Sequence, residues 1–175
     1  MQHLIPLIIA IIIGGFMSVL DTVLFGSQFS ERSDDIKAQQ FAAAGSGIES
    51  AMRLYETERA TSAFDTDFAT TMLDGTNTDG LVDLDYLTQI PVAPQGTYEF
   101  VVGGTSGDLY LEAAGTDVSL EVCKEVVQLD DGPLAAGWTP SVDTTELDVD
   151  MAGSRLHCLE NSVTPGEYSL YYRVN

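Results

Sequence analysis

Leu4–Leu20 reads LIPLIIAIIIGGFMSVL, seventeen residues without a charged side chain, and the stretch from Ser30 to Arg59, SERSDDIKAQQFAAAGSGIESAMRLYETER, contains no proline. The first stretch, extended to Gly26, gives 23 residues carrying one charge, Asp21. A bilayer-spanning helix needs about 20 mostly apolar residues, so the segment qualifies as one. In the second stretch apolar residues recur at Ile36, Phe41, Ala44, Ile48, Ala51 or Met52, and Tyr55. Gaps of three to five residues place them on one helical stripe. Glu31, Arg32, Asp34, Asp35, Lys37, Gln39, Gln40, Glu49, Arg53, Glu56 and Glu58 fall on the other faces. Acids three or four residues ahead of bases, Asp34 before Lys37 and Glu49 before Arg53, add weak helical support. Pro6 falls in the first turns, where its missing N–H costs little. The two stretches therefore predict one continuous helix, apolar all round in residues 1–26 and one-sided in residues 27–59. At 1.5 Å per residue it would measure about 85 Å.

Gly14 and Gly15 interrupt the apolar part. Glycine costs about 1 kcal/mol in a helix interior. Two readings stand side by side: small residues that let another helix approach closely, or a point where the helix stretches under load. The segment itself also has competing readings. A cleavable signal peptide opens with a basic region, and here no Lys or Arg precedes Arg32. A plain single-pass anchor is the second reading. The third is a processed chain with Met1 as its mature terminus, whose apolar segment serves both as anchor and as packing surface. The amphipathic continuation favours the third.

Charge divides the chain in the same place. The 175 residues hold 7 Lys+Arg against 27 Asp+Glu, a formal net charge of −20. Residues 1–59 account for −3 and residues 60–175 for −17. So acidic a chain lacks the Lys and Arg clusters that neutralise phosphates, which excludes a nucleic-acid partner. At 45% hydrophobic residues it is nonetheless able to build a core.

Downstream, residues 60–78 read as a loop with room for a short helix, and Leu81–Leu87 as another short helix closed by Pro91 and Pro94. Tyr98–Val102 alternates as a strand, Gly103–Gly107 is turn chemistry, and Asp108–Glu112 returns as the second arm of a hairpin. Ser119 is a candidate N-cap for a helix running to about Leu129, ahead of Asp130-Asp131-Gly132-Pro133. Glu167–Asn175 reads as a final strand with Tyr168, Leu170, Tyr172 and Val174 on one face. The fold class expected is α+β: a long N-terminal helix (residues 1–59) packed against a small antiparallel sheet in an acidic domain (residues 60–175).

With those pieces in place, the chain resembles the type IV pilins and their relatives, the type II secretion pseudopilins. The resemblance rests on the start Met1-Gln2-His3-Leu4-Ile5, the apolar run to Leu20, the amphipathic stretch to Tyr55, the passage Gly80–Tyr98 (GLVDLDYLTQIPVAPQGTY), and the late pair Cys123 and Cys158. Methionine rather than phenylalanine in first place is similar to the type IVb branch. The resemblance implies a pilin-like fold and a subunit of an extracellular helical filament built from copies of itself. It further implies residence in the inner membrane before assembly, trimming by a prepilin peptidase, N-methylation at Met1, dependence on pilus assembly machinery, and a part in cell adhesion. The chain departs from the family at one point. Pilins usually carry a glutamate at the fifth mature position to pair with a neighbour's terminal amine, and here that position is Ile5. Either the Met1 amine reaches backbone carbonyls, Gln2, His3 or water instead, or the subunit needs no such pairing, as would suit a minor tip subunit or a divergent system; a type II secretion pseudopilin is a further alternative. A monomeric membrane-anchored extracytoplasmic binding module is the alternative from a different class.

Chemistry beyond this is sparse. Two cysteines outside any CxxC spacing are too few for a zinc site. In an oxidising compartment Cys123 and Cys158 form a disulfide. The rival is a catalytic thiol at Cys158 beside His157, although neighbours in sequence seldom face each other productively. No GxSxG elbow, phosphate loop or dinucleotide fingerprint occurs, so no enzyme activity and no cofactor are expected. Asp143, Glu146, Asp148 and Asp150 are weak calcium candidates, set against a solvated acidic loop.

Overall fold

A computed structural model describes the backbone of residues 4–59, with side chains from residue 32 onward, and residues 80–94, 96–103, 108–114, 118–143 and 153–174. The chain divides into two compact units, Met1–Asp34 and Asp35–Asn175. Helix α1 spans Leu4–Arg59, and Gly14 and Gly15 fall inside it with helical backbone. No helix of the described residues is long and apolar enough to cross a membrane; the side chains of Leu4–Gly26 lie outside that description.

The larger unit is α+β. After the helix come β1 (Thr97–Val102), β2 (Leu109–Ala114), α2 (Leu120–Asp131), β3 (Ser141–Val142), β4 (Leu156–Glu160) and β5 (Tyr168–Arg173). The five strands form one sheet in the order β1-β2-β5-β4-β3. Every pairing is antiparallel except β3 with β4, so the sheet is mixed rather than purely antiparallel as the sequence predicted. The reason is connectivity. A thirteen-residue link (143–155) joins β3 to β4, and a link of that length allows the chain to return in the same direction, as a tight turn does not.

Several local expectations hold. The β1–β2 hairpin pairs Val102 with Leu109, and the Gly103 N–H donates to the Asp108 carbonyl at 2.7 Å. Ser119 caps α2: its hydroxyl accepts from the Val122 N–H at 3.2 Å, satisfying a donor the first turn cannot pair internally. Gly132 ends the helix at a φ of 79°, backbone that a side chain disfavours. The segment 81–87 is a set of hydrogen-bonded turns, not the short helix expected. Asp85 takes a φ of 61°, outside helical space, and the Tyr86 and Leu87 N–H groups both turn back to the Leu81 carbonyl. Residues 60–78, expected as a loop with room for a short helix, lie outside the described residues.

One main core unites the elements. From α1 it takes Ala38, Phe41, Ile48, Ala51, Met52 and Tyr55; from α2, Val122, Cys123, Val126 and Val127; from β5, Leu170 and Tyr172, with Val174 just beyond. The alternation read in the final strand is thus the face it turns to the helices. A smaller cluster of Tyr110, Leu159 and Tyr171 occupies the opposite side of the sheet. Cys123 and Cys158 are joined in a disulfide that ties α2 to β4, with their Cα atoms 5.4 Å apart.

Candidate functional site

Helix α1 presents two contrasting sides within the larger unit, and these are the features from which a function has to be argued. The inner side is the apolar stripe, which begins at Ala38. Ile36, expected to open it, is 53% exposed, because two residues turn a helix by about 200° and set Ile36 across the axis from Ala38.

Glu49 departs further from expectation. Grouped by its charge with the polar faces, it is only 7% exposed. A buried carboxylate is costly unless paired, and three elements supply partners. Arg155, just ahead of β4, brings its Nη2 to 2.8 Å from Oε1 and 2.9 Å from Oε2. The Tyr172 hydroxyl on β5 donates to Oε2 at 2.9 Å. Arg53, one turn along α1, donates from Nε to Oε1 at 3.0 Å, as the spacing of four suggested. The Arg155 guanidinium also lies 5.5 Å from the Tyr172 ring centroid. Burial, and then donation to Glu49, push the Tyr172 phenol up to about 12.

Gly45 makes this arrangement possible. A Cβ there would overlap Cγ and Cδ2 of the Tyr172 ring, so glycine lets the ring lie directly on the helix. The loop before β4 is itself held from the other side. Asp130 accepts from the backbone N–H groups of Arg155 and Leu156, and Asp131 accepts from the Ser154 hydroxyl at 3.3 Å. Ser154, Arg155 and Leu156 thus connect α2, the sheet and α1. Sequence reading missed this hub. Glu49 stands four residues from both Gly45 and Arg53, on the edge of the apolar stripe, but its main partner lies 106 residues away.

The outer side of α1 is different. Ile36, Gln40, Ala43, Gly47, Ser50 and Leu54, spaced alternately by four and three, form an exposed row without a charge. Beside its middle runs an open groove lined by Gln40, Ala43, Ala44, Pro91, Val92, Ala93 and Pro94, with Val92 86% exposed.

Met1 lies outside the described residues, as do Glu146, Asp148 and Asp150. Asp143 follows β3, where its N–H donates to the Glu160 carbonyl at 2.7 Å. Among the described residues no group of three or more metal-ligating side chains comes together. Cys158, bonded to Cys123, carries no free thiol, which removes the catalytic-thiol reading. No protein-family model matches the chain, and no curated protein or solved structure does so either.

Proposed function

We propose that the chain is a structural subunit of a type IV pilin-like filament. One observation carries the reading: a single helix, Leu4–Arg59, joins an uncharged apolar run to a segment fastened on one side only, leaving an uncharged row on the other. The fastening is strong, through Phe41, Ile48, Met52 and the Glu49 hub. The outer row, by contrast, consists mainly of small or uncharged residues in a chain of net charge −20, as suits an approach of like-charged copies helix to helix. In this reading the apolar run holds the subunit in the inner membrane until a prepilin peptidase and assembly machinery deliver it to a helical stack. The acidic domain then faces solvent on an extracellular pilus that serves adhesion. The pilin-like character of the α+β domain is part of the same proposal.

Electron microscopy of material sheared from the surface of cells producing this protein tests it. Thin filaments that label with antibody to residues 60–175 along their length are expected. Label confined to filament ends indicates a minor tip subunit. A detergent-soluble monomer that stays in the membrane, with no filaments, contradicts the proposal and fits an anchored binding module.

A further inference from the structure

Four acids of the domain stand where local structure alone disfavours them. Glu99 on β1 and Glu112 on β2 stand directly opposite each other in the hairpin register. Side chains so paired lie on the same face of a sheet, where like charges repel. The row continues through Tyr171 and His157 on β5 and β4, which add no fixed positive charge. The Tyr171 hydroxyl donates to Glu112 at 3.0 Å, and its ionisation is opposed first by burial and then by Glu112 and Asp143. Helix α2 ends in Asp130 and Asp131 with no base in its last turn. That is the negative pole of the helix, where carboxylates are unfavourable.

Against twenty acids, residues 60–175 contain three bases, Lys124, Arg155 and Arg173. Two are already committed: Lys124 lies 2.8 Å from Glu121, and Arg155 neutralises Glu49 of α1. The acids of residues 60–175 thus outnumber the bases of the same stretch by seventeen.

We infer that ionic strength controls the stability of this fold, with solvent cations supplying the counter-charge that its own side chains lack. The dependence belongs to a single copy and requires no neighbour, so it stands apart from filament assembly. Screening accounts for it: the Debye length falls from about 10 Å at 0.1 M salt to about 3 Å at 1 M, below the separation of facing strand residues.

The test is thermal unfolding of the full chain in non-ionic detergent micelles. Trp138, the one tryptophan, packs against the main core and reports by fluorescence. The midpoint is expected to rise by about 5 °C or more between about 0.05 M and about 1 M NaCl, independently of protein concentration, and then to level off. Choline chloride at equal ionic strength should do the same. Glu99→Gln should raise the low-salt midpoint by about 2 °C and lose that advantage at about 1 M salt, whereas Glu99→Asp should gain nothing. A midpoint that is flat or falls with salt overturns the inference. So does a rise produced by millimolar calcium but not by choline chloride, which would indicate a discrete ion site instead of screening.

Discussion

The two sides of α1 carry glycines two residues apart that serve opposite ends. Gly45 lies under the Tyr172 ring, with no room for a Cβ, whereas Gly47 has nothing within 4 Å of the same position. Glycine is equally unfavourable to the helix at both places. At Gly45 the cost is offset by a ring laid on the backbone, which places the Tyr172 hydroxyl on Glu49. At Gly47 nothing among the described residues offsets it. A helix side whose glycine is explained by packing is a finished interface. A side whose glycine is not explained is where packing with another copy is proposed.

The largest separation between the sides should come from truncating large side chains. Phe41→Ala is expected to cost about 3–5 kcal/mol and Leu54→Ala, at a position 49% exposed, less than about 0.5 kcal/mol, as read from denaturant unfolding at constant m. Equal costs would mean that the outer side is already packed within the copy. Next come the glycines. Gly45→Ala should destabilise by about 1–3 kcal/mol through overlap with Tyr172. Gly47→Ala should stabilise by about 0.5–1 kcal/mol through helix propensity alone. Smaller is the polar coupling. A double-mutant cycle of Glu49→Gln with Tyr172→Phe is expected to give about 1 kcal/mol, and a value near zero would reduce Glu49 to its contacts with Arg155 and Arg53.

The inner side also sets an alkaline limit. Tyr98 and Tyr172 are both held at about 12, above the ordinary phenol value of about 10, in each case chiefly by burial. The folded state therefore keeps protons that the unfolded chain releases. The stability from these phenols is fully present below about pH 10 and is lost as pH rises toward about 12. Tyr172→Phe should make stability fall less steeply across that interval.

Residue patterns with a period made much of this architecture legible. The helical stripe, the β1–β2 hairpin, the Ser119 cap and the alternation of β5 all repeat or punctuate locally, and the structure places them where the sequence does. Three features had no such signal. β3 is two residues long and pairs in parallel, below the length at which alternation can be read. Tyr171 and Tyr172 are consecutive, and one period-two face does not announce that the other is buried too. Glu49 owes its burial to Arg155 and Tyr172, partners distant in the chain that no local pattern encodes. The disulfide could be anticipated from the chemistry of two cysteines. The outer row is visible as spacing, but exposure, which gives it meaning, is not.

The central claim is that the outer side of α1 is an assembly surface, and Gly47→Glu tests it most directly. A glutamate there meets open space in the single copy, so the unfolding midpoint of the detergent-solubilised chain should match the parent within about 2 °C. Sheared preparations of the parent should contain filaments, and those of the variant none. Filaments of normal number and length from a folded Gly47→Glu chain would contradict the account.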